Sequence, residues 1–524
     1  MFRKEIISAA LLSIGLSFIG VGEALSQTSR EHVPLVLSRL PPPNSAAYKA
    51  VRARAGDVAV RALTLTKAEM WSVPRPNAEA VARMAPRYGI QVSRLEGHWN
   101  HIFVRAPAGV AMDTSQRAMM QRAMASNAAT DIALFLPPQA GVVEYALTRN
   151  QSAAASGDTA IKVTLNHTIV TIHRTGLSMK PDMLVWRGIV EGTGAPATLM
   201  WWPGAQMVGM IQHEGRTYSI RCVHGVLHAI VEMSDDRMPP EHAPMPQRLR
   251  ADLPSLHDDP LVRQGDASKL RSVLASLNVA GDKLPPSERK GIPKTDPAPQ
   301  PSPPVEVVID VIVAFTKKVA ENYTDVKREV VALAIEESNE AFRISGLGHI
   351  KLRLVHAYQT DYVEEGGHFD HVWRFADADD GYMEEIHELR TRHHADVAIL
   401  IVDDNKGCGL ATRVYADQDE AFAVVHQDCA VLTYSVAHEI GHLIGARHEI
   451  NVDRAMTPFP YGHGFVNGTK WRDIMSYRES CGGCRRVPVW SNPRVLIDGE
   501  RAGTPNEDNA RVIAEQAARV AAFR

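Results

Sequence analysis

Residues 438–448 read H-E-I-G-H-L-I-G-A-R-H and bring three histidines, one glutamate and two glycines close together. On a helix, His438 and His442 lie one turn apart on the same face, which suits two ligands of a tetrahedral zinc ion. Gly445 can adopt a left-handed backbone that ends the helix, so that the chain turns and His448 reaches the metal as third ligand. Three protein ligands leave one position open, as in catalytic zinc sites.

Glu439 follows the first histidine but is rotated around the predicted helix. Its carboxylate can therefore lie beside the metal without binding it and act as a general base toward water. A helix that merely carries surface histidines is the simpler interpretation. The pattern would arise by chance in a chain of this length with a probability on the order of 10⁻⁴, so we favour a catalytic zinc site.

Motifs after the third histidine resemble those of the metzincin metallopeptidases. D-I-M-S-Y at 473–477 resembles their methionine turn, which implies that Met475 forms an apolar floor under the metal. Three further motifs stand in the order found in reprolysin-like bacterial enzymes: G-C-G-L-A at 407–411, P-Y-G-H-G-F at 460–465 and W-S-N-P at 490–493. The chain looks most similar to the peptidyl-Asp metalloendopeptidases.

This resemblance covers about residues 305–524 and implies a zinc endopeptidase that cleaves on the amino side of Asp. Glu449 blurs the subfamily, because reprolysins usually carry Asp after the third histidine and astacins carry Glu. In astacins and serralysins, a tyrosine at the position of Tyr477 can contact zinc or the oxyanion. A packed tyrosine with its hydroxyl bonded elsewhere is the alternative.

Two sets of residues are candidates for substrate binding. Gly409, Leu410 and Ala411 can align a peptide by backbone pairing if they form an edge strand, and an edge without a ligand is the alternative. Specificity for Asp requires a cation in the pocket for the residue after the scissile bond. The segment after the methionine turn walls this pocket in metzincins, so Arg478 is the first candidate, with Arg413 and Arg485 as reserves. A surface ion pair of Arg478 is its alternative role.

Other classes of function remain open at this point. The chain could be a binding or adhesion module on an inactive metallopeptidase fold, although the presence of Glu439 argues against this. A zinc hydrolase for a non-peptide substrate, or an astacin-like or serralysin-like protease of different specificity, would carry the same histidines. Asp403, Asp404 and Asn405 are possible Ca²⁺ ligands, but a solvated acidic loop is the preferred interpretation.

The composition gives the broad class. The 524 residues carry a net charge of −3, so no nucleic-acid partner is expected. Residues 1–26 begin with Arg3 and Lys4, continue with an apolar run and end in small residues, which predicts a cleavable signal peptide. No later stretch has the length of a transmembrane helix. We therefore expect a secreted protein, extracellular or periplasmic, without a stable membrane anchor.

Residues 283–305 contain eight prolines and predict an extended linker that a protease could cut. The linker separates a propeptide at 27–282, whose second half alternates as antiparallel strands do, from a catalytic domain at 306–524. In the latter, strands and helices alternate, which predicts an α/β (α+β) domain with a mixed sheet and a zinc helix. We expect the propeptide to cover the cleft as an intramolecular inhibitor, with proteins or peptides as substrates.

Five cysteines in an exported chain leave one unpaired. Four of them lie in the catalytic region and can pair in three ways: Cys408, Cys429, Cys481 and Cys484. Cys222 lies upstream of the linker and could bind the zinc as a thiolate in a latent form. Its neighbours match that pattern poorly, so a buried strand cysteine is the preferred interpretation.

Overall fold

The computed structural model describes residues 32–95, 100–136, 138–149, 160–165, 167–204, 206–241 and 305–524. The predicted signal peptide and all of the predicted linker except Val305 lie outside these ranges. Within the described ranges, no helix is long and apolar enough to cross a membrane.

The upstream region begins with a four-stranded sheet of order β2-β3-β1-β4. Its strands are β1 (His32–Ser38), β2 (Ala59–Leu63), β3 (Ala68–Pro74) and β4 (Gln91–Arg94). Helices α1 (Ala46–Ala55) and α2 (Arg75–Met84) belong to the same unit, and a 3₁₀ turn at Ala85–Tyr88 follows α2. Trp71 and neighbouring aliphatic side chains form the core between the sheet and these helices.

A nine-stranded sheet of order β5-β6-β13-β12-β11-β10-β9-β8-β7 makes up the rest of the upstream region. The strands are β5 (Val104–Arg105), β6 (Ala129–Leu136), β7 (Ala160–Leu165), β8 (Thr168–Met179), β9 (Leu184–Val190), β10 (Pro196–Trp202), β11 (Gln206–His213), β12 (Arg216–His224) and β13 (Leu227–Met233). Helices α3 (Thr114–Ala125) and α4 (Ala140–Thr148) accompany it. Strands β7 to β13 are those predicted from alternation, whereas β6 was not predicted.

The downstream domain contains a five-stranded sheet of order β15-β14-β16-β18-β17. The strands are β14 (Val307–Phe315), β15 (Ile350–Gln359), β16 (Val397–Val402), β17 (Gly409–Ala411) and β18 (Phe422–His426). Only β17 is antiparallel to its neighbour, so the sheet is mixed. Every residue of β16 is buried, as expected for a parallel strand that is covered on both faces.

Helices cover both faces of this sheet. They are α5 (Lys317–Asn322), α6 (Leu333–Ile344), α7 (His368–Ala376), α8 (Glu385–His393), α9 (Gln427–Leu432), α10 (Ser435–Ile444) and α11 (Asn509–Val520). A π-helical stretch, Lys327–Ala332, leads directly into α6, so residues 327–344 form one helical segment of two parts. The C-terminal helix α11 begins after Asp508, whose side chain accepts a hydrogen bond from Arg511 N.

Short strands complete the region behind the site. β19 (Val466–Asn467), β20 (Trp471–Arg472) and β21 (Arg485–Arg486) form a three-stranded sheet, and β22 (Asn492–Ile497) pairs with β23 (Glu500–Ala502). Of the three possible cysteine pairings, the structure contains Cys408–Cys429 and Cys481–Cys484.

The upstream nine-stranded sheet docks directly on the downstream domain. Side chains of β9 to β13 and of the 327–344 helical segment belong to one continuous hydrophobic cluster. Ion pairs surround it: Arg187 Nη2 lies 2.8 Å from Glu336, and Arg221 Nη2 lies 3.1 Å from Asp428. The two regions therefore share a core.

Candidate metal centre and active-site cleft

Helix α10 positions the first two histidines. It is buried along its whole length, with His438 and His442 on one face. The helix begins at Ser435, because the preceding Tyr434 has a left-handed backbone (φ 58°) that cannot belong to a right-handed helix. Gly445 ends the helix with φ 134°, and an added Cβ there would lie 2.9 Å from the ring of Phe459. Glycine is thus required where the chain turns toward His448.

The three histidines converge on one point. His448 Nε2 lies 3.1 Å from His438 Nε2 and 2.9 Å from His442 Nε2. A tetrahedral zinc site separates its ligand nitrogens by roughly 3.3 Å, so the nitrogens stand close to the required positions. Among the described residues, these histidines form the only group of three or more His, Cys, Asp or Glu side chains with donor atoms within 4.8 Å of one another.

The histidines are held in the neutral state that binds metal. His438 Nδ1 donates to the carbonyl of Ile474 at 2.9 Å and His442 Nδ1 donates to the carbonyl of Ala446 at 2.9 Å, if each Nδ1 carries the proton. Burial lowers the pKa of His438 to about 4. Burial and the neighbouring histidines lower the pKa values of His442 and His448 as well. The donor set therefore fits zinc in ligand type, spacing and protonation.

The predicted methionine turn lies directly beneath this group. Met475 is fully buried, and its sulfur would be 3.1 Å from a Cβ added at Gly441, which faces it from α10. Asp473 Oδ1 accepts from Ser476 Oγ at 2.6 Å, and Asp473 Oδ2 accepts from Ser491 N at 2.9 Å. These bonds fix the turn whose Ile474 carbonyl orients His438.

Glu439 lies on the cleft side of α10 and is not part of the histidine group. Its carboxylate accepts a hydrogen bond from the Ala411 backbone, and burial raises its pKa to about 8 against the effect of that bond. A Cβ added at Gly409 would lie 2.4 Å from Glu439 Oε1. The absence of a side chain at Gly409 thus provides the space that the carboxylate occupies.

Tyr477 also lies at the histidines, as predicted. Its ring centroid is 4.4 Å from that of His448, and its hydroxyl pKa is raised by burial and then by Glu439 and Glu449. Glu449 holds the segment in place, because it accepts from Tyr477 N at 3.2 Å and from Ser480 Oγ. The acid after the third histidine therefore anchors the chain that carries Tyr477.

These residues line one open cleft of about 350 Å³. Gly409, Leu410 and Ala411 form its rim as β17, the edge strand of the mixed sheet, and no other strand of the described residues pairs with the edge opposite β18. The position matches the predicted substrate-aligning strand. Pairing with substrate stays a prediction.

The arginine candidates are arranged differently from expectation. Arg478 does not line the cleft: its Nε lies 3.8 Å from Asp235 Oδ2. Arg413 lines the cleft but pairs with Glu420, and Arg485 pairs with Asp498. Arg486, which the sequence reasoning missed, does line the cleft.

Two further candidates lie away from the histidines. Cys222 is unpaired and buried in β12, where its sulfur faces the Gly225 carbonyl at 3.8 Å and burial raises its pKa to about 12. It does not line the cleft, in agreement with the preferred interpretation. Asp403 accepts from Gln427, and Asp404 lies 3.3 Å from His368. A Ca²⁺ site at this loop stays the less favoured interpretation.

Three convergent histidines above a methionine turn, with a buried carboxylate beside them and an edge strand along the cleft, define a zinc metallopeptidase. Comparison with known proteins agrees with this assignment to the metallopeptidases. Residues 306–490 match the family model Reprolysin_5, metallo-peptidase family M12.

Three relatives are peptidyl-Asp metalloendopeptidases. The protein of Stenotrophomonas maltophilia (strain R551-3) is 34% identical over 326 residues, covering 61% of this chain and 69% of that protein. The protein of Xanthomonas campestris pv. campestris is 34% identical over 324 residues, covering 61% and 68%. That of Pseudomonas fragi is 32% identical over 190 residues, covering 36% and 100%. The chain belongs to this family of metalloendopeptidases, and the resemblance inferred from its motifs is confirmed.

Proposed function

We propose that this zinc metalloendopeptidase is exported as a zymogen and hydrolyses peptide bonds on the amino side of Asp. The observation that carries the proposal is the convergence of three histidine Nε2 atoms beside a buried glutamate that does not belong to the donor set. The Asp specificity is inferred from the names of the relatives. The predicted signal peptide supports export.

His438, His442 and His448 would hold the zinc ion. When bound, the ion supplies Lewis-acid chemistry that activates a water molecule and polarises the substrate carbonyl. Glu439 accepts the proton of the attacking water and passes it to the leaving amine. The Ala411 backbone holds this carboxylate at the rim of the cleft, where substrate would lie against the edge strand.

Tyr477 is proposed to donate its hydroxyl proton in a hydrogen bond to the developing oxyanion. Its ring packs beside His448, and the raised pKa keeps the hydroxyl protonated at neutral pH. Latency is supported by the shared core between the upstream sheet and the catalytic domain, which holds the upstream region against the enzyme.

The proposal is tested with full-length protein whose linker has been cut by limited proteolysis and which has then been diluted until the upstream region dissociates. A peptide library should be cleaved before Asp, and a chelator should abolish the cleavage until zinc is restored. Glu439→Gln should retain zinc and lose roughly 10²- to 10⁴-fold in kcat/KM. Glu388→Gln, on the exposed face of α8, is the matched control.

The outcomes separate the alternatives. Full peptidase activity of the Glu439→Gln protein would disprove the role of the base. A binding module or a non-peptide hydrolase would leave the whole library uncut. Preference for large apolar residues after the scissile bond would disprove the acidic specificity alone.

A further inference from the structure

The upstream region sends one segment into the active-site cleft. After β13, the chain passes through a 3₁₀ turn, Asp235–Arg237, and then through Pro239 and Pro240 to Glu241. Glu241 is one of the residues that line the cleft together with the three histidines and Glu439. The segment therefore occupies space that a substrate would need.

The backbone of this segment is bonded at the rim of the cleft. Cys408 N, directly before the edge strand β17, donates to the Pro240 carbonyl at 3.0 Å. Peptides that bind at a sheet edge are held by main-chain hydrogen bonds of this kind. Pro240 thus makes the type of contact expected of a bound substrate backbone.

The side chain of Glu241 enters a pocket of positive charge. One carboxylate oxygen contacts Arg486 Nη2 and lies 3.9 Å from Arg472 Nη2, and the other accepts from the Arg478 backbone N–H at 2.8 Å. The side chain is only 12% exposed. An acidic residue is thus bound by a guanidinium and a backbone donor next to the zinc histidines.

The enzyme itself fixes the position of Arg486. Its Nη1 donates to the Thr433 carbonyl and its Nη2 to the Ser476 carbonyl, both at 2.9 Å. Thr433 lies shortly before α10 and Ser476 belongs to the methionine turn, so both elements that build the metal site also orient this arginine. Such a preorganised guanidinium can bind a carboxylate with little loss of conformational entropy.

Two cations lie side by side in this pocket. Arg472 and Arg486 are direct partners in the parallel pairing of β20 with β21, and both are buried. Burying a guanidinium without a compensating anion is unfavourable. Within the described residues, Arg486 has its acidic neighbours, Glu241 and Asp235, only in the upstream region.

The other arginines that line the cleft have acidic partners within the catalytic domain itself. Arg413 pairs with Glu420, and Arg447 Nη1 lies 2.7 Å from Asp453. Release of the upstream region would leave these pairs intact and remove the acidic partners of Arg486. The released enzyme would then present a buried, oriented cation beside the zinc site.

We propose that Arg486 recognises the acidic side chain of the substrate residue after the scissile bond, and that Glu241 occupies the same subsite in the zymogen as a substrate-like inhibitor. This inference rests on the proposed function and deepens it. It assigns the specificity role to the side chain of Arg486 instead of that of Arg478. Arg478 contributes only its backbone N–H, which binds the carboxylate of Glu241.

The first test measures substrate discrimination by linker-cut protein that has been diluted until the upstream region dissociates. Matched peptides with Asp or Asn after the scissile bond should differ strongly in kcat/KM with the wild type. Arg486→Met should reduce this Asp/Asn ratio by roughly 10- to 100-fold, the range for a hydrogen bond to a charged group. Arg485→Met is the matched control and should keep the wild-type ratio, because Arg485 pairs with Asp498 and does not line the cleft.

The second test does not require a substitution at the buried arginine. A synthetic peptide of residues 235–241 should inhibit the cut and dissociated enzyme competitively, and its Glu241→Gln form should inhibit at least tenfold more weakly. In the uncut chain, Glu241→Gln should raise residual peptidase activity, whereas Glu214→Gln, at an exposed turn of the upstream region, should not.

An unchanged Asp/Asn ratio in folded, zinc-loaded Arg486→Met protein would overturn the inference. If that variant does not fold, equal inhibition by the two peptides would overturn it. Wild-type enzyme without any preference for Asp would instead refute the proposed specificity. An Asp preference that survives Arg486→Met refutes the role of Arg486 and leaves the proposed Asp specificity of the enzyme intact.

Discussion

Replacing Gly409 with alanine tests whether the edge strand positions the catalytic base. The added Cβ would lie 2.4 Å from Glu439 Oε1 and 3.0 Å from its Cδ and Cγ. Ordinary carbon contacts begin near 3.5 Å, so the carboxylate must move by roughly 1 Å. Glu439 is only 4% exposed and is bonded to the Ala411 backbone, so the shift moves the carboxylate away from the position in which that bond holds it.

The expected loss follows from that displacement. A misplacement of about 1 Å can cost about 10²-fold in rate, which corresponds to about 2.7 kcal/mol. Gly409→Ala should therefore lower kcat/KM by about 10²-fold on an Asp-containing peptide. Zinc content, measured by mass spectrometry, should stay at one ion per chain. The three atoms nearest to the added Cβ all belong to Glu439, and none belongs to a histidine ligand. Gly348→Ala is the control, since its Cβ would approach only Arg343, at 3.8 Å.

A double-mutant cycle identifies the cause of the loss. In a Glu439→Gln background, Gly409→Ala should lower the residual rate little further, because the base that it displaces is already absent. A zinc-loaded Gly409→Ala enzyme with wild-type activity would refute the steric argument. A further loss of about 10²-fold in the double variant would show that Gly409 acts through substrate binding.

Three more outcomes are expected. His442→Ala should lose zinc, as measured by mass spectrometry, and with it all peptidase activity. Cys222→Ser should leave the uncut chain latent in a peptide assay, because the thiol faces Gly225 and not the cleft. Burial raises the pKa of Glu337 to about 7, so the folded protein binds this proton more tightly than the unfolded chain does. The free energy of unfolding is therefore highest below about pH 4.5, where Glu337 is protonated in both states, and it falls as the pH rises through 7. Glu337→Gln should thus reduce the loss of stability between pH 5 and pH 8, by at most about 3 kcal/mol, in urea unfolding of the uncut chain.

The sequence predicted elements best where hydrophobic periodicity was clear. Strands β7 to β13 have turns between them, and several alternate between buried and exposed residues, so their positions could be read almost directly. β18 was missed because its five residues are all buried and have no period to recognise. The π-helical stretch was missed because its apolar spacing resembles that of an α-helix.

The metal site was predictable because its residues are close in the sequence, whereas the specificity pocket was not. The sequence reasoning reached Arg485, one residue short of Arg486. In β21, successive side chains point to opposite faces, so Arg485 turns outward to Asp498 and Arg486 turns into the cleft. Only the pairing of β21 with β20 shows which of the two arginines lies inside.

Latency and specificity would then depend on the same contacts, with a consequence for maturation. A cut in the predicted linker at 283–305 lies more than forty residues beyond Glu241. The cut alone leaves the Glu241 carboxylate on Arg486 and the upstream sheet on the shared core. The cut chain should therefore remain inhibited as a non-covalent complex, and full activity requires that the upstream region dissociates or is degraded. Dilution should activate the cut protein, whereas a single-step gain of activity at cleavage would mean that the linker itself blocks the cleft.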